Sequence, residues 1–120
     1  MNWLLVFLGG GLGSVARYGI TLITKGCYQG NWPWATFISN VLACFVLVLL
    51  VYLISPSEKE ENALYTFLAI GFCGGFSTFS TFSFETSSLI QGGNFGVALL
   101  NILVSLAVGT GLFLLLNMKR

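Results

Sequence analysis

Long apolar runs, separated by short stretches rich in polar residues, glycine and proline, divide the chain into four segments. The four runs are, with approximate ends, Trp3 to Ile23, Trp34 to Ile54, Leu64 to Ile90 and Phe95 to Leu116. An α-helix needs about 20 mostly apolar residues to cross a bilayer. The pattern therefore predicts an all-α membrane protein in which residues 1–120 form one domain of four transmembrane helices, located in the cell membrane.

The third run is interrupted near its middle by three glycines, in the sequence GFCGGF of residues 71–76. Each glycine weakens a helix by about 1 kcal/mol relative to alanine, so the cluster is consistent with a break. The pair Gly71 and Gly75 also fits the small-xxx-small pattern of closely packed membrane helices. The polar residues that follow favour a break near Gly74-Gly75, because opened backbone in a bilayer persists only where it lines a cavity or is otherwise satisfied.

Five hydroxyl side chains follow the glycines: Ser77, Thr78, Ser80, Thr81 and Ser83. On a continuous helix Ser77, Ser80 and Thr81 would share one face. Phe76, Phe79 and Phe82 recur every third position and would share another face. Hydroxyls donate hydrogen bonds to an anion, and the edge of an aromatic ring carries partial positive charge. A broken helix adds carbonyls that suit a small cation and a helix N-terminus that favours an anion, so the stretch is a candidate ion pathway. Lipid-facing or packing bulk is the alternative role for the phenylalanines.

Polar residues also occur in the second and fourth runs. Thr36 and Asn40, at i and i+4, place a hydroxyl and an amide on one helix face. Asn101 and Ser105 do the same in the fourth run. Polar side chains in a membrane usually face a pathway or the protein interior, where they also join helices by hydrogen bonds. We expect Asn40 to line a pathway, whereas both roles stay open for Asn101.

Two charged residues, Arg17 and Glu85, lie inside the predicted helices. Arg17 is about 21 Å along the first helix from Trp3, at 1.5 Å per residue. Glu85 is near the end of the third helix, so both are expected close to the same membrane face. Arg17 is a candidate for a vestibule that attracts anions, with Glu85 as a possible charge partner. The alternative is that the Arg17 side chain extends to the lipid headgroups.

The composition excludes several classes of function. Only 8% of the residues are charged and 56% are hydrophobic, whereas soluble domains carry about a quarter charged residues. The chain has no His and no Asp, and Cys27, Cys44 and Cys73 lack the C-x-x-C spacing of metal and redox sites. We therefore expect no enzymatic activity. No basic patch is present to bind phosphates, so we expect membrane lipid but no nucleic acid as a partner.

Basic residues are almost evenly divided between the two sides of the predicted bundle. Lys59, Lys119 and Arg120 would lie on the side of the termini, and Arg17 and Lys25 on the other. The positive-inside rule therefore assigns little preference for either orientation. This balance fits insertion in both orientations or an orienting partner, and we expect an antiparallel pair of subunits that together form an inverted repeat.

Three stretches resemble the Fluc/CrcB family of fluoride channels: GGGLGSVARY of residues 9–18, ATFISNVLA of residues 35–43 and GFCGGFSTFSTFSFE of residues 71–85. The resemblance covers essentially all four predicted helices. It implies an antiparallel, dual-topology dimer with two fluoride pathways and a central structural sodium ion, through which fluoride leaves the cytoplasm passively. The partner implied is a second, inverted copy of the chain or a paralogous subunit.

The resemblance also assigns residues to the implied fluoride pathway. Asn40 would be the pore asparagine of the second helix, and Phe79 and Phe82 would line the pathway with their ring edges. The hydroxyls of Ser80 and Thr81 would belong to a polar track.

Further roles follow from the same resemblance. The backbone carbonyls of Gly74 and Ser77 would hold the sodium ion, two from each subunit. Arg17 would be the arginine of the first helix, and Glu85 the glutamate that closes the third-helix motif.

The chain departs from the family pattern at a few positions. Ala35 and Ala43 stand where the family often has glycine, and the roles of Asn101 and Ser105 in a polar track are not assigned by the resemblance. A small four-span multidrug exporter is an alternative, but proton-coupled export needs an acid in the drug site, and the first helix contains none. A membrane subunit without transport activity is the second alternative.

Overall fold

The structure, a computed structural model, describes residues 2–118. Four helices are long and apolar enough to cross a membrane: Asn2–Cys27, Trp34–Leu53, Ala63–Gln91 and Phe95–Met118. No strand occurs between residues 2 and 118. The prediction of an all-helical chain with four membrane-spanning helices is confirmed. Lys119 and Arg120, which entered the comparison of basic charge, lie outside the described residues.

The third of these helices is divided in two by a pair of extended residues. We name the elements α1 (Asn2–Cys27), α2 (Trp34–Leu53), α3 (residues 63–76, with a π-helical stretch Thr66–Cys73), α4 (Phe79–Gln91) and α5 (Phe95–Met118). Between α3 and α4, Ser77 has φ −80° and ψ 158°, and Thr78 has φ −152° and ψ 118°. Both conformations are extended. The break is therefore real, but its predicted place was wrong, because Gly74 and Gly75 belong to α3.

Gly71 and Gly75 of α3 instead allow close packing against α1. At Gly75 a Cβ atom would overlap the backbone of Gly10, and at Gly71 it would lie 3.0 Å from the Cα of Gly9. Backbone therefore contacts backbone where α3 crosses α1, which is the close approach that small residues allow. The small-xxx-small interpretation describes Gly71 and Gly75, and the break follows three residues later.

The break also divides the expected row of phenylalanines. Phe76 is buried with Ala43 and Cys73 in the core between α2 and α3, and its ring stacks on that of Phe72 at 5.4 Å between centroids. Phe79 follows the break and is 80% exposed. The expectation that Phe76 shares a face with Phe79 and Phe82 is therefore wrong, because the two extended residues redirect the chain.

The bundle has two distinct ends. The loop end carries the α1–α2 connection of residues 28–33 and the tight α4–α5 turn of residues 92–94. In that turn Gly93 has a positive φ of 82°, which lets the Asn94 N–H reach Leu89 O at 2.8 Å. The terminal end carries the first residues of α1, the last of α5 and the α2–α3 connection. Along the bundle between these ends, α1 packs on α3, and α2 packs on α5.

Candidate functional site

Asn40 of α2 holds the backbone of the break. Its Oδ1 accepts a hydrogen bond from the Thr78 N–H at 2.7 Å, and its Nδ2 donates to the Thr78 carbonyl at 3.3 Å. An unsatisfied backbone group in hydrocarbon costs several kcal/mol. The Asn40 amide thus satisfies both the N–H and the carbonyl of Thr78, one of the two residues that have left the helical conformation.

Thr78 in turn caps α4. Its Oγ1 accepts from the Thr81 N–H at 3.1 Å, as expected of a threonine at the N-cap position. In an unbroken helix the N–H groups of Thr78 and Thr81 would bond to the carbonyls of Gly74 and Ser77. Here those two N–H groups are directed to side chains instead. The carbonyls of Gly74 and Ser77 are therefore free to accept another partner.

A cavity of about 260 Å³, which we call the central groove, lies beside the break between α2, α4 and α5. Its lining combines an amide, two hydroxyl residues of the break, two aromatic rings and the facing part of α5. These residues are Asn40, Cys44, Ser77, Thr78, Phe79, Phe82, Ser105 and Leu106. The groove brings together predicted pathway residues from three separate segments of the chain.

Phe79 and Phe82 form the aromatic part of this groove. Their ring centroids are 6.3 Å apart, and the planes are tilted by 36° to each other. Phe82 is partly buried, whereas Phe79 projects from the chain. The two rings and the hydroxyl residues of the break line the same groove.

The hydroxyls of the break are engaged in local hydrogen bonds. Ser77 Oγ donates to the Cys73 carbonyl at 2.8 Å, and the hydroxyls of Thr78 and Ser80 lie 3.3 Å apart. Thr81 contributes its backbone N–H to the cap. Ser80 and Thr81 do not line the central groove. They lie beside it, on the first turn of α4.

Thr36 and Glu85 form a second polar contact, closer to the loop end. Thr36 Oγ1 donates to Glu85 Oε1 at 2.9 Å. Thr36 is buried and lies one helical turn before Asn40 on the same face of α2. The polar face of α2 therefore continues from the central groove to the Glu85 carboxylate.

Arg17 lies at the level of the break. Its Nε donates to the Gly75 carbonyl at 3.2 Å, just before the extended residues. The end of α1 at Cys27 is about 15 Å further along the helix, at 1.5 Å per residue. Arg17 therefore lies further from the end of its helix than expected, because α1 continues beyond the predicted end at Ile23, and its distance from the membrane face stays a prediction. Arg17 and Glu85 also do not form the ion pair considered for them, since each bonds to another group within the described chain.

Asn101 and Ser105 of α5 have different surroundings in the structure. Asn101 is 1% exposed, and its Nδ2 donates to Thr86 Oγ1 at 3.2 Å, which joins α5 to α4. Ser105 donates to Asn101 Oδ1 at 3.3 Å and also lines the central groove. Asn101 thus joins helices, while Ser105 reaches the groove.

Three groove residues, Thr78, Cys44 and Leu106, were not singled out as site residues from the sequence. Thr78 was counted only as one of five hydroxyls, although a threonine at the start of a helix indicates an N-cap. Cys44 was interpreted as a small hydrophobe, yet it lies four residues after Asn40 on the same face and lines the groove. Cys44 also connects the groove to a second cavity of about 330 Å³ along α5, lined by Gly109, Thr110 and Phe113.

The part of the chain that the structure describes contains no cluster of His, Cys, Asp or Glu side chains that could hold a metal ion. The freed carbonyls of Gly74 and Ser77 are the groups that suit a hard monovalent cation, because such ions prefer oxygen ligands.

Comparisons with known proteins identify the family of this chain. A family model described as CrcB-like protein, Camphor Resistance (CrcB), matches residues 4–116. A protein of Thermus thermophilus named fluoride-specific ion channel FluC is 43% identical over 108 residues, which cover 90% of this chain and 86% of the relative. Relatives of the same name from Azobacteroides pseudotrichonymphae and Coxiella burnetii are 39% and 38% identical. Those alignments cover 92% and 90% of this chain, and 89% and 88% of the relatives.

Proposed function

Because the chain belongs to the CrcB family, we propose that it is a passive, fluoride-selective ion channel that lets fluoride leave the cytoplasm across the cell membrane. The resemblance seen in the sequence is confirmed by the family match. The expectation that the chain is not an enzyme is also confirmed, since its relatives are named as ion channels. Their name supports fluoride as the permeant ion of this chain.

The observation that carries the proposal is the break held by Asn40 beside a groove of hydroxyls and ring edges. A helix broken inside a membrane is tolerated where it is buried in protein or lines a cavity. Fluoride is small and accepts hydrogen bonds only, so it needs donors to replace its hydration water. The Thr78 hydroxyl is such a donor when the Ser80 hydroxyl donates to it, and the edges of Phe79 and Phe82 would add partial positive charge.

Neighbouring groups complete the proposed pathway. The N-terminus of α4 begins at the groove and favours an anion through its helix dipole. Ser80 and Thr81 stand on the first turn of this helix, in place for a polar track that continues from the groove. Arg17 supplies positive charge at the level of the break, which suits a vestibule that attracts anions.

A structural sodium ion would be held by the carbonyls of Gly74 and Ser77. The fit rests on the redirected N–H groups of Thr78 and Thr81, which leave both oxygens without their helical donors. A bound sodium ion would supply positive charge that neutralises these oxygens. Because one chain offers two such carbonyls, a complete set of ligands requires a second subunit.

The second subunit would be an inverted copy of the same chain or a paralogous one. Phe79 supports a dimer, because a pathway residue that is 80% exposed in one chain needs a covering surface. The nearly balanced basic charge supports opposite insertion of the two subunits. A pair of inverted chains would then contain two equivalent grooves, and thus two fluoride pathways.

We expect removal of sodium to weaken the dimer. The purified protein should run as a dimer in sodium chloride and lose dimer at lower temperature when choline replaces sodium, because the carbonyl oxygens would then repel one another without a cation. Size-exclusion chromatography with light scattering after heating measures this change. Equal thermal stability in both salts would contradict the sodium proposal, and a monomer in both would contradict the dimer.

The channel proposal is tested by fluoride release from liposomes. Wild-type protein should release trapped fluoride without a proton gradient and should release chloride far more slowly, as recorded with ion-selective electrodes. Replacement of both Phe79 and Phe82 by Ile should slow fluoride release about tenfold, because the ion loses two positive ring edges and a combined loss of about 1.4 kcal/mol slows a rate tenfold. Phe95→Ile is the matched control, since Phe95 is exposed at the start of α5 and lies outside the groove.

Other results would support the alternatives. Fluoride release that requires a proton gradient would favour a coupled exporter. Liposomes that retain all their fluoride would indicate a subunit without transport activity of its own. Equal rates for the double variant and Phe95→Ile would remove the two rings from the pathway.

A further inference from the structure

A cavity at the terminal end of the bundle has no part in the proposed fluoride pathway. This terminal cavity has a volume of about 490 Å³, within the range of roughly 300–1,000 Å³ that is typical of ligand sites. It lies where the start of α1, the α2–α3 connection and the first turns of α3 meet. It shares no lining residue with the central groove, so its role has to be argued separately.

The terminal cavity combines a mostly apolar wall with a charged rim. Val6 of α1 and Ile70 of α3 belong to the wall, one and two helical turns inside the ends of their helices. Lys59 and Glu60 of the α2–α3 connection bring one charge of each sign to the rim. An apolar molecule would leave the two charges unpaired, and a small ion would leave the wall uncovered. The lining therefore suits an amphipathic occupant.

The residues around the cavity indicate that it opens at the surface of the bilayer. Trp3, at the start of α1, is 89% exposed, and Tyr65 stands on the first turn of α3. Both residues line the cavity. Tryptophan and tyrosine are enriched where membrane-spanning helices meet the lipid headgroups. A phospholipid at this level would place its acyl chains at the wall and its headgroup at the rim.

The Lys59 side chain is held in place but not neutralised. Its Nζ lies 5.8 Å from the centroid of the Tyr65 ring, which is a cation–π contact. Within residues 2–118 the ammonium forms no ion pair with a carboxylate. A lysine ammonium has three N–H donors, and donors that the ring does not use are available to a phosphate.

Thr66 offers a second donor in the same cavity. Its side chain is 5% exposed and lines the cavity, yet its hydroxyl bonds to no group within the described residues. The hydroxyl oxygen is not among the unpaired side-chain atoms that are fully enclosed by protein, so an occupant can reach it. A hydroxyl in apolar surroundings is disfavoured unless it finds a partner. An anionic group beside Lys59 would provide that partner.

The charges of the connection select among phospholipid headgroups. It carries three glutamates, Glu58, Glu60 and Glu61, and one lysine, which gives three negative charges against one positive. An anionic lipid such as phosphatidylglycerol would gain Lys59 but would face the three carboxylates. Phosphatidylethanolamine has both a phosphate for Lys59 and a primary ammonium that donates hydrogen bonds to Glu60. The trimethylammonium group of phosphatidylcholine has no N–H to donate.

We propose that the terminal cavity is a binding site for one molecule of phosphatidylethanolamine. The lipid phosphate accepts hydrogen bonds from Lys59 and Thr66, and the lipid ammonium donates to Glu60. An acyl chain lies along Val6 and Ile70. Because these residues belong to α1, the α2–α3 connection and α3, the bound lipid joins the three elements at the terminal end.

Fluorescence quenching at Trp3 measures this binding directly. The chain has three tryptophans, so Trp3 is the only one left in a Trp32→Phe, Trp34→Phe background. The full-length variant is titrated in detergent micelles with phosphatidylethanolamine, phosphatidylcholine or phosphatidylglycerol, each carrying brominated acyl chains. Half-maximal quenching should need about threefold less phosphatidylethanolamine than either other lipid, the effect expected of an ion pair at an exposed rim.

Glu60→Gln should remove the preference for phosphatidylethanolamine over phosphatidylcholine. Glu61→Gln is the matched control, because it removes the same charge from the same connection at a residue that does not line the terminal cavity. Lys59→Gln should raise the amount of every phospholipid needed for half-maximal quenching about fivefold, because all of them have a phosphate. Lys25→Gln, at an exposed lysine in the last turn of α1, should leave these amounts unchanged.

Several results would overturn the site. Equal half-quenching by phosphatidylethanolamine and phosphatidylcholine, or tighter binding of phosphatidylglycerol, would exclude phosphatidylethanolamine as the preferred occupant. Equal effects of Glu60→Gln and Glu61→Gln would exclude Glu60 as the partner of the ammonium. No quenching by any lipid would show that another part of the assembly, such as a second subunit, covers the cavity.

Wild-type protein provides a test that needs no variant. Mass spectrometry of the intact protein, released from liposomes with equal amounts of the three lipids, should show one phosphatidylethanolamine retained per chain. Random retention of the three lipids would contradict the site even if the tryptophan-depleted background fails to fold. None of these results bears on fluoride release, so the lipid site and the channel proposal are tested independently.

Discussion

Asn40→Ala is expected to reduce fluoride release from liposomes by at least about thirtyfold. The variant removes both partners of the Thr78 backbone, which then has an unpaired N–H and an unpaired carbonyl inside the bundle. Each buried unpaired group costs about 1–3 kcal/mol, and about 1.4 kcal/mol corresponds to a tenfold change in rate. The same substitution removes the amide from the groove lining.

Asn101→Ala is the control for this prediction. Like Asn40, Asn101 is an asparagine in a membrane-spanning helix, but its side chain bonds to Thr86 and Ser105 rather than to the broken backbone. Loss of such an interhelical contact costs about 0.6 kcal/mol on average. We expect Asn101→Ala to lower thermal stability slightly and to keep fluoride release within about threefold of the wild type.

The two asparagine variants separate a pathway role from a purely structural one. Fluoride-electrode traces from liposomes with equal amounts of folded protein measure release, and size-exclusion profiles report folding. Near-normal release by Asn40→Ala would contradict the role of Asn40 at the break. A loss of release in both variants would mean that bundle stability, and not the break, limits conduction.

Gly75→Ala is expected to destabilise the fold by about 1–3 kcal/mol, the range observed for overpacked sites. A Cβ atom at this position would overlap the carbonyl, Cα and carbonyl carbon of Gly10. These are backbone atoms, which cannot move aside as a flexible side chain does. The α1 and α3 helices would have to separate, and the hydrogen bond from Arg17 to the Gly75 carbonyl would be strained.

Gly11→Ala on α1 is the matched control, because a Cβ atom there meets nothing within 4 Å. Alanine favours a helix over glycine by about 1 kcal/mol, so this variant should be as stable as the wild type or more so. The fraction of monodisperse protein remaining after heating in detergent measures both effects. Equal melting of the two variants would show that contact between α1 and α3 does not depend on the absence of a side chain at position 75.

The four membrane-spanning helices could be predicted from the chain alone. Their signal is the length and polarity of apolar runs, which reports the thickness of a bilayer and needs no knowledge of tertiary contacts. The existence of a break in the third span was also predictable, because glycines and hydroxyls are costly there unless they serve a purpose. The CrcB family was indicated by the resemblance of the third-span motif and of two shorter stretches, and the family match confirms it.

The position of the break was not predictable in this way. Gly74 and Gly75 have the composition of a helix break, yet Gly75 remains helical because its missing side chain lets α1 approach. The chain opens instead at Ser77 and Thr78, where Asn40 of another helix offers a donor and an acceptor for the backbone. Local propensity is weaker than these contacts, which exist only after α1, α2 and α3 have packed.

The partners of the two charged residues inside the helices were also not predictable from the sequence. Arg17 and Glu85 are opposite charges in a mostly apolar chain, and the sequence indicated Glu85 as a possible charge partner of Arg17. The packing of α1 on α3 gives Arg17 a backbone carbonyl, and the packing of α2 beside α4 gives Glu85 the hydroxyl of Thr36. Both groups therefore obtain hydrogen bonds without contacting each other.

Sequence by itself determined the class of protein, the number of helices and the residue types available to an ion, because bilayer thickness and the cost of polar groups in lipid act on each segment separately. Tertiary structure decided which polar groups meet. It brought Asn40 to Thr78 and joined Asn101 to Thr86. Hydrogen bonds act over about 3 Å, so the pairing of residues distant in the chain is set by helix packing and not by the pattern of any one helix.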